Sequence, residues 1–281
     1  MLRKAIALAA LGLALVAGQA AAASGHPEEP KQPAWSFEGP MGKFDKAQLQ
    51  RGYKVYREVC AACHAMHLVS FRNLGQKGGP FYDAEFRNPN DNPYVKALAA
   101  DIQVPDIDSE TGDTIQRAAT PADRFPSPFA NEAAARGSNG GALPPDLSVI
   151  AKARTGGPDY LYSLLSGYHT PPAGLEVPPG QFYNPYMPGD LTAFWKGKGH
   201  APAGGFIAMP PPLADGKVTF DDGAKSTVDQ QAKDVAAFLY WAAEPKMEER
   251  KEFGLGAMIY LLLFSIILWF SYRKIWKNVG H

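Results

Sequence analysis

EVCAACHAM, residues 58–66, contains both cysteines of the chain, Cys60 and Cys63, with His64 directly behind them. Three chemistries use clusters of this kind. A redox dithiol of the C-x-x-C type sits in a βαβ setting, which the flanking sequence does not offer. A zinc site built from Cys60, Cys63, His64 and His67 would draw all its ligands from one short stretch. It would lack the long gap that lets two ligand pairs close a tetrahedron from separate elements. The remaining reading is C-x-x-C-H, in which both thiols form thioethers to haem vinyl groups and the histidine ligates iron. The motif therefore points to one covalently bound haem c.

Working outward, FDKAQLQRGYKVYREV leads into the motif as a helix. Asp45 stands as N-cap with Gln48 three residues on, and Leu49, Gly52, Tyr53, Tyr56 and Val59 repeat at helical spacing. Gly52 inside this helix costs about 1 kcal/mol against alanine, so it implies close approach by another backbone. STVDQQAKDVAAFLYWAAEP is the expected neighbour. Thr227 and Gln230 repeat the capping pattern, Val228, Ala232, Val235, Leu239 and Ala242 form a stripe, and Pro245 stops it. Two helices crossing at small residues, one before the haem motif and one late in the domain, match the core of a class I cytochrome c.

The ends of the chain set its topology. Arg3 and Lys4 precede the apolar run Ala5 to Ala17 and the small residues Ala20 to Ala23, the pattern of a cleaved bacterial signal peptide over 1–23. Near the other end, Gly254 to Tyr272 carries no charge, a length of about 28 Å as helix, enough for one hydrocarbon core. Trp269, Tyr272 and Trp276 lie at its far end, followed by Arg273, Lys274 and Lys277. Positive-inside orientation puts this end in the cytoplasm. The expected organisation is a periplasmic cytochrome c domain over 24–252, a transmembrane anchor over 253–273 and a cytoplasmic tail over 274–281. The 25 prolines and 28 glycines make the body loop-rich. The fold class expected is mainly α and loop-rich, a class I cytochrome c-like haem domain plus one C-terminal transmembrane helix.

The formal net charge is zero, but both termini are basic, which leaves the body acidic. Residues 83–113 hold Asp83, Glu85, Asp91, Asp101, Asp106, Asp108, Glu110 and Asp113 against Arg87 and Lys96. Such a surface suits a basic protein partner and argues against nucleic acid.

Electron-transfer haem normally has both axial positions filled, and methionine opposite histidine raises the potential. Met1 and Met258 lie in the terminal apolar segments, Met247 at the mouth of the second, and Met66 is too close to His64 to reach the opposite face. Met41, Met187 and Met209 remain. Met209 in FIAMPPPLADG and Met187 in NPYMPGD both precede proline, which holds them extended with little freedom to lose. His169 or His200 offers bis-histidine ligation instead.

Five blocks in order carry a resemblance: SFEGPMGKFDKAQLQRGYKVYREVCAACH, NGGALPPDLSVIAKARTGGPDYLYSLLSGY, FYNPYMPGD, AMPPPLADG, and AKDVAAFLYWAAEP with its apolar helix. Over nearly the whole mature chain the sequence resembles the cytochrome c1 family, haem subunits of cytochrome bc1 complexes (ubiquinol–cytochrome c oxidoreductases). The resemblance implies that Met209 is the second axial ligand. It also implies that Asn139, Arg154 and Tyr160 lie near the haem propionates, where a guanidinium suits a carboxylate. Some bacterial members carry an additional disulfide, for which this chain has no cysteine left. The stretch 191–205 looks like an insertion without an assigned role.

The function implied is outer-sphere electron transfer, with no catalysis by the chain alone. It would be the redox subunit of a proton-translocating quinol–cytochrome c reductase in the bacterial inner membrane. Its partners would be cytochrome b, a Rieske iron–sulfur protein as donor, a soluble cytochrome c as acceptor and membrane lipid, within a dimeric complex and without nucleic acid. The acidic stretch would help steer a basic cytochrome c, with an on-rate that falls with ionic strength. Two rivals stand. A membrane-tethered cytochrome c shuttle to a terminal oxidase would want a long flexible linker, whereas EPKMEERKEFG is short and charged. A haem peroxidase would want an open iron site and usually a second haem, against the single C-x-x-C-H here.

Overall fold

The structure, a computed structural model, describes residues 26–278. The signal-peptide reading of 1–23 and the last residues of the 274–281 tail lie outside the described residues. The chain divides into two compact units. The larger is drawn from Lys31–Tyr162 and the chain from Pro212 onward; the smaller from Ser163–Pro211 and the chain up to Pro30. Helices dominate among the described residues, and the strands make only two two-stranded antiparallel sheets.

In the larger unit, α1 (Lys46–Glu58) crosses α6 (Val228–Ala243). Asp45 caps α1 by accepting from the Gln48 amide at 3.0 Å, and Thr227 caps α6 by accepting from the Gln230 amide at 3.1 Å. Both expected caps form, but the reciprocal halves of the boxes do not. The Asp45 amide donates to Ser36 Oγ instead, and the Gln230 side chain turns along its helix to Asp234. The crossing point is Gly52: a Cβ there would stand 2.1 Å from the Asp234 carbonyl oxygen. Around it Leu49, Val55, Tyr56, Val235 and Phe238 are buried, with Phe238 packed edge-on to Tyr53 at 5.7 Å. Burial of a side chain such as Phe238 stabilises by about 1.5–3 kcal/mol.

Shorter elements complete the unit: α2 (Pro93–Ala100), the hairpin of β1 (Gln103–Ile107) and β2 (Thr114–Ala118), α3 (Glu132–Ser138) and α4 (Ile150–Ala153). The base of the hairpin is fastened by Asp123, which accepts from Arg117 Nη1 at 2.7 Å, Arg117 Nη2 at 2.9 Å and the Thr120 amide at 2.7 Å. The Arg117 guanidinium holds the Asp123 carboxyl well below the usual carboxylate range. A depressed carboxyl contributes stability above its unfolded pKa, near 3.8, and loses it as pH falls further. The protection factor of the Thr120 amide should therefore be constant above about pH 4 and drop below it. A protection factor unchanged down to the acid limit would show that Asp123 does not pin the hairpin.

α5 (Gly157–Ser166) carries the chain into the smaller unit. There β3 (Phe182–Asn184) pairs with β4 (Gly205–Ile207) through Tyr183 opposite Phe206. Leu175, Tyr183 and Leu191 form its buried cluster, with Val177, Trp195, Ala201 and Phe206 packed on it. The stretch 191–205 contributes to this core at its ends, with Leu191 1% exposed and Gly204 and Gly205 buried, while most residues between them are exposed. Gly204 is required where it stands, at φ 102° with its Cβ position 2.4 Å from the Asn184 carbonyl oxygen.

α7 (Met247–Ile275) follows α6 almost at once and runs 29 residues, about 44 Å of helix. It is long and apolar enough to cross a membrane, and its apolar window is unburied. The helix begins at Met247, before the apolar run, because its charged first turns are held by the domain. Glu248 Oε1 accepts from the Phe44 amide at 2.9 Å, and Lys251 Nζ donates to the Phe37 carbonyl at 2.6 Å and the Gly42 carbonyl at 3.3 Å.

Candidate haem-binding site

The end of α1 delivers the motif. Cys60–Ala62 forms a single 3₁₀ turn, and the amides of Cys63 and His64 both donate back to the Cys60 carbonyl, at 3.1 and 2.9 Å. One compact turn thus carries both thiols and the imidazole. The thiols are free of each other. Burial pushes the Cys60 thiol up to about 12, against the pull of Lys217. A reactive redox dithiol needs the opposite, a thiol whose pKa is lowered to favour the thiolate. Among the described residues no three His, Cys, Asp or Glu side chains converge as a metal cage.

His64 is half-buried, and burial lowers its pKa against the opposing effects of the Pro145 carbonyl and Asp146. Its Nδ1 lies 2.8 Å from the Pro145 carbonyl oxygen. A carbonyl can only accept, so Nδ1 carries the proton and Nε2 is left with its lone pair. Two free thiols beside a neutral histidine with Nε2 available is the donor set that a covalent haem requires. The residues fit the group.

The loop bearing Pro145 is bonded to the chain after the motif at three further points and braced by a bond of its own. Asp146 Oδ2 accepts from the His67 amide at 2.8 Å and Oδ1 from the Ser148 amide at 2.8 Å. Ser148 Oγ accepts from the Leu68 amide at 3.0 Å, and the Leu147 amide donates to the Ala65 carbonyl at 2.9 Å. In the sequence, PPDLS stands out only as part of a longer block. The signal available there is an aspartate two residues before a serine, a turn-forming pair; nothing in it points to His64.

The other expected residues are spread over both units. Arg154 ends α4, exposed, with Nη1 on the Ala153 carbonyl at 3.2 Å. Burial raises the Tyr160 pKa and the Arg154 charge opposes it, so these two side chains share one neighbourhood. Asn139 caps α3, its Nδ2 on the Ala135 carbonyl at 2.7 Å. Met209 belongs to the smaller unit, half-buried, where Tyr168 OH donates to its carbonyl at 3.0 Å. Met187 lies in the same unit; Met41 is 69% exposed and Met66 is buried in the larger. A groove of about 990 Å³ runs along α1, but Arg51, Lys54 and Arg57 in it each face an acid.

The fold and site define a c-type haem protein with one apolar C-terminal helix. The profile of the Cytochrome C1 family matches residues 35–279. "Cytochrome c1" of Rhodospirillum rubrum is 41% identical over 98% of this chain and 97% of its own. "Cytochrome c1" of Blastochloris viridis is 42% identical over 95% of each chain. "Cytochrome b/c1" of Bradyrhizobium diazoefficiens is 44% identical over 98% of this chain, which spans only 39% of that longer protein. The chain belongs to the cytochrome c1 family. It is a haem electron-transfer subunit of the bc1 type, carrying covalently bound c-type haem, and its long apolar helix fits a membrane anchor.

Proposed function

We propose that the chain relays single electrons from a Rieske iron–sulfur protein to a soluble cytochrome c, fixed beside cytochrome b in a dimeric quinol–cytochrome c reductase. Cys60 and Cys63 attach the haem, His64 Nε2 and the Met209 thioether ligate its iron, and Asn139, Arg154 and Tyr160 face its propionates. The haem domain, 24–252, stands in the periplasm of a bacterium after loss of 1–23; 253–273 spans the inner membrane and 274–281 is cytoplasmic, as Arg273, Lys274 and Lys277 favour. Bound haem supplies one-electron ferric–ferrous exchange. The chain's part is to orient His64 through Pro145, keep the imidazole neutral, and hold the attachment turn still.

The observation that carries the ligand assignment is the 2.8 Å approach of His64 Nδ1 to the Pro145 carbonyl. The tethered-shuttle reading is disfavoured by the root of α7. Glu248 and Lys251 bond residues 37–44, and Glu252 faces Lys43 and Lys77. A shuttle needs slack between anchor and haem, and this connection has none. The acidic stretch supports steering less strongly than its acid count implies: Asp91 faces Lys96, Asp101 faces Arg57 and Asp106 faces Arg117.

The test is purification through a C-terminal tag in mild detergent, for the wild type and Met209→Leu, followed by addition of quinol. Cytochrome b and a Rieske protein should co-purify with both chains. Quinol should reduce the haem of the wild type only, because losing the thioether lowers the potential. A haem band that purifies alone and ignores quinol would make the chain a tethered carrier. Quinol reduction undiminished in Met209→Leu would remove Met209 from the iron.

A further inference from the structure

We infer that Asp146 and Ser148 are positioning residues for the axial histidine: their hydrogen bonds to the 67–68 backbone hold the Pro145 carbonyl on His64 Nδ1 and so set the haem potential. The inference rests on His64 being the iron ligand.

The geometry is that of a clamp closed at both ends. Pro145 is a poor self-positioner: it comes directly after Pro144, neither has an amide to donate, and the residue is exposed. Its carbonyl direction is therefore fixed by residues 146–148. Asp146 spends one carboxylate oxygen on the His67 amide and the other on the Ser148 amide, which folds 146–148 into a turn and ties that turn to the chain just after the motif. Ser148, fully buried, closes the next rung on the Leu68 amide, and the Leu147 amide closes another on Ala65. Two chain segments about 80 residues apart in sequence are thus registered against each other within four residues of His64. An error of a few tenths of an ångström in that register appears directly in the Nδ1 hydrogen bond, since these rungs are what hold Pro145 in place.

The hydrogen bond matters to the iron because a carbonyl accepting from Nδ1–H makes the imidazole a stronger donor at Nε2. A stronger donor favours ferric iron and lowers the potential; a loosened clamp raises it. A carboxylate near the haem would also lower the potential through its charge alone. The two origins separate on substitution. Ser148→Ala removes a rung without changing charge, and Asp146→Glu keeps the charge while displacing both oxygens. Asp146→Asn removes the charge and keeps one acceptor.

The experiment is redox titration of the α-band, with EPR g-values of the ferric state, on the tagged complex carrying each variant. All three should shift the midpoint potential upward, Ser148→Ala least, and move the g-values away from the wild type while the haem stays low-spin. An upward shift in Asp146→Asn alone, with Asp146→Glu and Ser148→Ala at wild-type potential and g-values, would reduce Asp146 to a nearby charge and overturn the proposal. So would wild-type values throughout. If Asp146→Asn fails to load haem, Ser148→Ala decides alone by the same readings. His64→Ala separates the underlying assignment: an unaltered low-spin signal there would mean that His64 is not the ligand, whatever the clamp variants show.

Discussion

Substituting Gly52 with valine should abolish accumulation of haem-loaded protein, and even Gly52→Ala should be destabilising. In an exposed helix interior, alanine in place of glycine stabilises by about 1 kcal/mol. Here the sign is reversed by contact. The first added carbon would meet the Asp234 carbonyl oxygen at 2.1 Å and Phe238 Cβ at 2.6 Å. Neither can rotate away, because one is helix backbone and the other is the root of a side chain locked against Tyr53 and Tyr56. Relief requires α1 and α6 to separate, which opens the layer of Leu49, Val235 and Phe238. Overpacking of this kind costs about 1–3 kcal/mol where side chains can adjust, and more where backbone must move. For alanine we expect a loss of about 2 kcal/mol in denaturant midpoint analysis; for valine, no folded holoprotein, since domain stabilities are only about 5–15 kcal/mol. The motif turn sits at the end of α1, so displaced α1 also displaces Cys60 and His64. An alanine variant as stable as the wild type would mean that the crossing is looser than its geometry.

The same crossing shows what sequence can carry. The stripe Leu49, Gly52, Tyr53, Tyr56 and the caps at Asp45 and Thr227 are local signals, set by helical period and by a side chain reaching its own helix end. They suffice to place α1 and α6 and the haem turn between them. The half of each capping box that did not form was lost to competitors from elsewhere in the chain: Ser36 took the Asp45 amide, and Asp234 took the Gln230 side chain. The anchor helix was legible as an apolar run, but not its start at Met247, because Glu248 and Lys251 are polar residues whose partners at 37–44 stand about 200 residues away. For the same reason Cys60, Cys63 and His64 could be read from spacing, whereas Pro145, Asp146 and Ser148 could not. Nothing periodic links them to the motif, and only the folded register brings them beside it. The stretch 191–205 carries no role legible in the sequence, and its few packed residues are not evident from its composition. Its glycines and lysines have the composition of a surface insertion, yet Leu191, Trp195 and Ala201 are spaced to fill one cluster with Leu175 and Tyr183.

Loss of Arg51 should cost more than any other single charge removed from this crossing, about 3–5 kcal/mol. Arg51 is one residue before Gly52 on α1, and its side chain is 17% exposed. Its Nε donates to Asp234 Oδ2 at 2.7 Å and its Nη1 to Asp222 at 2.6 Å. Asp234 has no exposed surface, and besides Arg51 it accepts from Gln230 Nε2 at 2.8 Å. Burial works against both charges. On Arg51 it is overcome by the hydrogen bonds to Asp234 and Asp222, which hold the guanidinium firmly charged. On Asp234 burial prevails and pushes the carboxyl above the usual range, despite the pull of Arg51. Arg51→Met keeps the apolar stem and removes that pull, leaving a buried carboxylate with only the neutral side chains of Gln230 and Gln48 for company. Its folded pKa must then rise further above the unfolded value. Such a group binds more protons folded than unfolded between the two pKa values, so stability falls as pH rises through that window. Arg51→Met should accordingly be more stable at about pH 5 than at about pH 7.5, by a margin exceeding that of the wild type. Replacing both partners, Arg51→Met with Asp234→Leu, should recover most of the loss and lose the added pH dependence, because no uncompensated charge remains in the crossing. Urea melts of the three proteins at both pH values test this. A double variant no more stable than Arg51→Met would show that the guanidinium matters here through packing against Phe220, not through the charge it shares with Asp234.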